Sequence, residues 1–131
     1  MHKFVAGLCL IFALSGASGR DADPCAQADN TIEVMQCLDK VYKSKDAELN
    51  AAYQALLKKL SPTMAGDTTN YAQVKSELAE GQRAWVKFRD SDCSAKYKYS
   101  EQGSMRGIVY ATCRIEHTQQ RTAQLIKWAG P

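Results

Sequence analysis

The segment RAWVKFRDSDC, residues 83–93, places two aromatic side chains, an arginine–aspartate pair and a cysteine within about three turns of a helix. Arg89 follows Trp85 by four residues, so the two side chains lie over the same face of a helix. The guanidinium can then cover the indole ring while its planar fork reaches a carboxylate or a carbonyl. Cys93 stands one turn further along. We interpret the segment as a point where helices are fastened together, not as catalytic machinery.

An apolar stripe leads into this segment and predicts a helix. Its members recur at steps of three and four residues, as on one face of a helix: Tyr71, Val74, Leu78, Gly81, Trp85 and Phe88. Gly81 is unusual on such a stripe, because glycine in a helix interior costs about 1 kcal/mol relative to alanine. We expect another helix to cross closely at Gly81. We also expect this helix to end near Cys93, which ties it to a third helix.

Two further stripes predict helices before and after this one. The first begins at a capping box, Asn30 to Glu33, and ends at Ser61 and Pro62; its stripe is Met35, Leu38, Tyr42, Leu49, Tyr53, Leu56 and Leu60. The last is expected to be capped by Ser104 or Gly103; its stripe is Ile108, Ala111, Ile115, Thr118, Thr122 and Leu125. Amphipathic helices with short connections bury their stripes against one another. The predicted fold is a small all-α antiparallel bundle of three to four helices.

Residues 1–19 have the layout of a secretory signal peptide. One lysine precedes an apolar run from Phe4 to Leu14, and small residues then lead to a predicted cleavage site before Arg20. The apolar run is too short to span a bilayer comfortably. Cys9 follows a leucine and so lacks the small neighbour that bacterial lipid attachment requires. We predict a single helical domain over residues 20–131, periplasmic or secreted, without stable membrane insertion after cleavage.

Four cysteines follow the predicted signal peptide: Cys25, Cys37, Cys93 and Cys113. An even number in a small exported domain predicts two disulfides, although the sequence alone allows three pairings. We favour Cys25 with Cys37 and Cys93 with Cys113, because each pair joins near neighbours and lets each half of the chain fold locally. The second bridge closes a loop of about 20 residues, which constrains the unfolded chain by roughly 3 kcal/mol in the entropic model.

The remaining polar residues do not assemble into a predicted reactive centre. A net charge of +3, from 17 basic and 14 acidic side chains, is too weak and mixed to indicate nucleic-acid binding. The cysteines have disulfide partners, and His117, the one histidine after the signal peptide, is expected on a solvated helix surface. No CxxC, HExxH or similar spacing is present. We predict no metal, no cofactor and no enzymatic activity.

The motifs around the opening segment resemble those of the LprI-type lysozyme-inhibitor domain, an exported bacterial family. The resemblance covers nearly the whole chain after residue 19 and rests on Leu49-Asn50-x-x-Tyr53, Gln82-x-x-Trp85-x-x-Phe88-Arg89-Asp90-x-x-Cys93, Gly103-Ser104, and Cys113 followed by Thr118, Arg121 and Leu125. It implies a helical, disulfide-bonded domain that blocks lysozyme by protein–protein contact. We expect the motif residues to be structural: Trp85, Arg89 and the cysteines fasten the helices, while Asn50 and Tyr53 pack.

The connector KYKYSEQGSMRG, residues 96–107, is the predicted binding loop. Tyrosine, serine and glycine supply contact area and adaptable hydrogen bonds, and a disulfide at the ends of the loop lowers the cost of ordering it. The expected contact residues are Tyr97, Lys98, Tyr99, Ser104 and Arg106. Lys98, Arg106 or Ser104 would suit the two catalytic carboxylates of a lysozyme. The alternatives are a plain connection between helices, or a binding or immunity protein for another cell-wall hydrolase or toxin.

Overall fold

The computed structural model describes residues 23–100 and 103–130. These residues form three α-helices: α1 (Thr31–Lys59), α2 (Tyr71–Tyr99) and α3 (Arg106–Ala129). None of the helices in these residues is long and apolar enough to cross a membrane. The predicted signal peptide, residues 1–19, lies outside the described residues. The all-α prediction is confirmed, with three helices.

The start of α1 is the predicted capping box. The Glu33 N–H donates to the Asn30 side-chain oxygen at 3.0 Å, and the Glu33 carboxylate accepts from the Asp29 N–H at 3.0 Å. The first bond satisfies one of the N–H donors that the first turn of a helix otherwise leaves without a partner, and the second holds the residue before the cap. At the other end, α1 stops at Lys59, just before Ser61 and Pro62. Both ends of α1 therefore follow from local sequence.

The start of α2 is also held by local hydrogen bonds. The Asn70 side chain accepts from the Gln73 N–H at 3.1 Å. Asp67 accepts from the Tyr71 hydroxyl at 2.7 Å and from the Thr69 N–H at 2.9 Å. The bond from Tyr71 is the main cause that lowers the pKa of Asp67 to about 2. Residues 60–70 connect α1 to α2, between the predicted end of the first helix and the predicted stripe that starts at Tyr71.

Two predicted helix ends are wrong. The second helix does not end near Cys93 but continues to Tyr99, because residues 94–99 contain no glycine or proline to stop it. The third helix is not capped by Ser104 or Gly103. It begins at Arg106 after Met105, which makes no side-chain capping bond, and the Arg106 N–H instead donates to the Gly103 carbonyl at 3.3 Å.

Helix α3 packs along both of the other helices, and α2 packs chiefly on α3. Lys59, the last residue of α1, donates to the carbonyls of Ala129 and Gly130 at the end of α3, at 3.2 and 3.1 Å. The helices α1 and α3 therefore run in the same direction. The Cys93–Cys113 bridge joins the last third of α2 to the first third of α3, so α2 runs antiparallel to both.

The apolar interior consists of two small clusters. One contains the buried residues Leu49, Ala52, Leu56, Leu78 and Leu125. The other contains Cys25, Leu38 and Ile115. Along the helices, two buried polar residues, Arg89 and Thr118, lie between these clusters. Such small cores explain why a domain of this size uses covalent staples.

Both predicted disulfides are present. Cys25 pairs with Cys37 across 5.8 Å between Cα atoms, and Cys93 pairs with Cys113 across 5.6 Å. The first bridge ties the segment before α1 onto α1 itself, whereas the second joins α2 to α3. The predicted pairing is confirmed.

The predicted apolar stripe of α2 is wrong at two positions. Gly81 is exposed and a Cβ atom there would have nothing within 4 Å, so no helix crosses closely at this glycine. Phe88 is 56% exposed. The buried face passes instead from Trp85 to Arg89 and Cys93, at steps of four residues, and so leaves Phe88 at its edge.

Candidate functional site

Arg89 lies at the meeting point of all three helices and is only 4% exposed. Its guanidinium carbon lies 5.1 Å from the centre of the Trp85 ring and 5.5 Å from that of Tyr42 on α1. Its Nε donates to Asp90 Oδ1 at 2.9 Å, and its Nη1 donates to Thr118 Oγ1 on α3 at 3.4 Å. The expected stacking of Arg89 on Trp85 therefore exists, with contacts to two further helices.

A second arginine, Arg114 on α3, shares these partners. Its guanidinium carbon lies 3.9 Å from the centre of the Tyr42 ring, and its Nη2 donates to the Tyr42 hydroxyl at 2.6 Å. Its Nε lies 3.5 Å from Asp90 Oδ1, the oxygen that also pairs with Arg89. Sequence analysis missed the role of Arg114, since nothing in its spacing connects it with Tyr42, 72 residues away. The cluster of Tyr42, Arg89, Asp90 and Arg114 therefore connects the three helices.

The other motif residues divide between packing and exposed positions. Leu49 is buried and Tyr53 packs beside it, but Asn50 is exposed, so its predicted packing role is wrong. Its side chain faces solvent next to Asp46, whose carboxylate accepts from Asn50 Nδ2 at 3.4 Å. Arg121 on α3 donates through Nε to the Gln82 side-chain oxygen on α2 at 2.9 Å. Burial lowers the pKa of Arg121.

His117 is not the solvated surface histidine that the sequence predicts. Its Nε2 lies 2.8 Å from Asp92 Oδ2 on α2, and its side chain is 18% exposed. The rings of His117 and Phe88 meet edge to face, with 5.5 Å between their centres. The bond with His117 is the main cause that lowers the pKa of Asp92, and the charge of Lys96, 3.7 Å away, adds to it.

The structure shortens the predicted binding loop. Residues 96–99 form the last turn of α2, and Arg106 is the first residue of α3. The connection between the helices is residues 100–105, of which 101 and 102 lie outside the described residues. Most of the predicted contact residues are thus held on rigid helices.

The structure brings only some of the predicted contact residues together. The Arg106 guanidinium lies 5.2 Å from the centre of the Tyr97 ring, and Tyr97 meets the Tyr110 ring edge-on at 6.2 Å. Tyr97 is half-buried and acts as a support, whereas Tyr99 is 96% exposed. Lys98 and Tyr99 line two different shallow grooves, so the predicted residues do not share one face. Ser104 is exposed on the connection.

The family model described as lysozyme inhibitor LprI matches residues 22–125, a range that includes α1, α2 and most of α3. The chain belongs to the LprI family. It is also 31% identical over 120 residues to an uncharacterized protein of Rhizobium meliloti (strain 1021), an alignment that covers 88% of this chain and 86% of that protein. No solved structure matches the chain. The resemblance to LprI-type domains is therefore confirmed.

In the described residues of this LprI-family domain, the cysteines and the acids around Arg89 are engaged in structural contacts. In residues 23–100 and 103–130 every cysteine is in a disulfide, so none offers a thiolate nucleophile. The acids around Arg89 are paired with arginines that hold helices together. The exposed end of α2 and the start of α3 remain the candidate site.

Proposed function

We propose that the protein is an exported, non-enzymatic inhibitor of lysozyme that acts by protein–protein contact, in the periplasm or outside the cell. Membership of the LprI family is the observation that carries this proposal. The two disulfides fit an oxidising compartment.

The proposed contact surface is the end of the bundle formed by Tyr99, Ser104 and Arg106. Tyr99 supplies a large exposed ring with few rotatable bonds, and Arg106, stacked over Tyr97, supplies a positioned cation. A guanidinium can form charge-assisted hydrogen bonds to the paired carboxylates of a glycosidase cleft. Because Tyr99 and Arg106 lie on helices that the Cys93–Cys113 bridge joins, these two residues need little ordering on binding.

Titration of the purified protein into lysozymes of several classes, in a cell-wall lysis assay, tests the function. We expect saturable inhibition of at least one class. The double variant Tyr99→Ala/Arg106→Ala should weaken inhibition by at least about tenfold, the loss typical of central interface residues. Trp128→Ala is the matched control, since Trp128 is a 54% exposed aromatic near the opposite end of α3.

If every lysozyme keeps full activity at a large excess of the protein, the proposal that the protein inhibits lysozyme is wrong. In that case another cell-wall hydrolase or a toxin becomes the expected target, and inhibition of such a protein is the measurement that supports it. Unchanged inhibition by the double variant would instead move the interface away from this end of the bundle.

A further inference from the structure

Four potential metal ligands meet beside the Cys93–Cys113 disulfide. Asp92 and Cys93 are neighbours on α2, and Cys113 and His117 stand one turn apart on α3. One carboxylate oxygen, two sulfur atoms and one imidazole nitrogen all lie within 4.8 Å of one another. Over residues 23–100 and 103–130, this is the one place where three or more such side chains gather so closely.

In the disulfide state the cluster cannot bind a metal through sulfur, because the two sulfur atoms are bonded to each other. We propose that reduction of the Cys93–Cys113 bridge converts the cluster into a binding site for a thiophilic divalent ion of the zinc and cadmium class. Its ligands are the Cys93 and Cys113 thiolates, an imidazole nitrogen of His117 and a carboxylate oxygen of Asp92. Two sulfur, one nitrogen and one oxygen donor form a ligand set that tetrahedral zinc accepts.

A dithiol can reduce the bridge. The dithiol gives two electrons and two protons, the Cys93–Cys113 bond breaks to two thiols, and the dithiol becomes a cyclic disulfide. The metal then displaces the two thiol protons, which pass to solvent. A cyclic disulfide reverses both steps: it accepts two electrons from the two cysteine thiolates and two protons from solvent to become a dithiol, the Cys93–Cys113 bond forms again, and the ion is released.

The geometry requires only small movements. Zinc binds sulfur at about 2.3 Å and nitrogen at about 2.0 Å, so the ligand atoms of a tetrahedral site are separated by about 3 to 4 Å. Asp92 Oδ2 already lies 2.8 Å from His117 Nε2 and 4.0 Å from Cys113 Sγ. The two sulfur atoms, bonded to each other in the disulfide, must separate while their Cα atoms, 5.6 Å apart, stay in place. Rotation of the two cysteine side chains is enough.

Burial and charge fit a cation at this position. Cys93 and Cys113 are buried, which protects metal–thiolate bonds from water, while the Asp92 side chain is 36% exposed and leaves a route for entry. Two thiolates and one carboxylate exceed the charge of a divalent ion by one, and Lys96, 3.7 Å from Asp92, offsets the excess. The bound ion would keep α2 joined to α3 when the disulfide is open.

Cadmium titration of the reduced protein tests the site. The protein is reduced with a phosphine without oxygen, and the ultraviolet band of cadmium–thiolate bonds is followed. We expect one tightly bound ion per chain after reduction and none before it. The variant Cys25→Ser/Cys37→Ser should keep this ion, whereas His117→Ala in that background should weaken binding by at least about tenfold.

Two results would overturn the site. One is an equal cadmium–thiolate band from Cys93→Ser/Cys113→Ser, which keeps only the other cysteine pair. The other is a result from thermal unfolding. We expect zinc to raise the melting temperature of reduced Cys25→Ser/Cys37→Ser, measured by circular dichroism, and to raise it less when His117→Ala is added. If zinc has no effect on the melting temperature, or an equal effect in both proteins, the ligands do not form one folded site. Neither measurement depends on lysozyme inhibition.

Discussion

Arg89 carries a positive charge into the space between the three helices, where a charge without partners would cost several kcal/mol. Its nearest acid, Asp90, has a side chain that is 45% exposed, and Asp46, 3.8 Å away, is 42% exposed. The acids therefore stay hydrated while the arginine is buried between rings. The desolvation cost is therefore confined to Arg89, and the aromatic rings that face its guanidinium partly offset this cost.

Arg89→Lys should lower the free energy of unfolding by about 2 kcal/mol, because an ammonium group can neither stack like a guanidinium nor donate through a planar fork. Urea unfolding followed by circular dichroism measures the change. The matched control is Lys87→Arg, the reverse exchange at an exposed position of α2, with an expected change within about 0.5 kcal/mol. Equal stability of Arg89→Lys and the parent would show that charge alone matters at this position.

Asp92→Asn should destabilise the protein near neutral pH but not in acid. The folded pKa of Asp92 is lowered from 3.8, mainly by the bond with His117. The carboxylate therefore contributes stability above pH 3.8, and this contribution is lost as the pH falls through the folded pKa. Urea midpoints of the variant and the parent should converge at acid pH.

The effect of Asp92→Asn near neutral pH should shrink in a His117→Ala background, since the main cause of the lowered pKa is then gone. A gap between variant and parent that stays constant down to about pH 2 would contradict this coupling.

At the scale of the helices, sequence periodicity predicts the existence of all three but not every buried position. The ends of α1 follow from Asn30 and Pro62, since capping and proline act locally. Phe88 and Gly81 are mispredicted because burial depends on which neighbour a face meets. The buried side chain at position 89 is an arginine, so a pattern of apolar residues does not mark this position as buried.

Gly81→Ala should raise the free energy of unfolding by up to about 1 kcal/mol, because alanine has the higher helix propensity and the new methyl group meets no atom within 4 Å. Gly107→Ala on α3 is a useful comparison. Its Cβ would lie 3.4 Å from the Met35 sulfur, so we expect a smaller gain. Urea midpoints measure both. A loss of stability in Gly81→Ala would show that this face of α2 is covered in solution.

The candidate sites illustrate a similar limit. Tyr97 and Arg106 are nine residues apart in sequence and do meet, because the connection between α2 and α3 is short. The contact between Asp92 and His117 was not predicted, although two signals were available. The predicted Cys93–Cys113 disulfide joins the two helices beside Asp92, and the spacing of four between Cys113 and His117 places both on one face of a helix.

For the whole molecule, the two disulfides should contribute unequally although their loops are similar in length. Loop-closure entropy varies only logarithmically with length, so spans of 12 and 20 residues constrain the unfolded chain almost equally. Without Cys25–Cys37, however, the segment before α1 can detach while the three helices stay packed. Without Cys93–Cys113, α2 loses its covalent bond to the helix on which it chiefly packs.

The variant Cys93→Ala/Cys113→Ala should therefore lose about 3 kcal/mol or more of unfolding free energy in urea, with the other bridge intact. Cys25→Ala/Cys37→Ala should lose less and should leave the helix content by circular dichroism unchanged. Equal losses would mean that the segment before α1 is integral to the fold.

The polar layer at Arg89 also fixes the alignment of the helices. Before the Cys93–Cys113 bridge forms, the two apolar clusters alone would tolerate a slide of α2 along its neighbours by one turn, about 5.4 Å, since leucine and alanine side chains pack in many ways. Such a slide would carry Arg89 away from Thr118 and Asp46 and strand its charge among aliphatic groups. Arg89 thus favours one axial position of α2, and in this position Cys93 also meets Cys113.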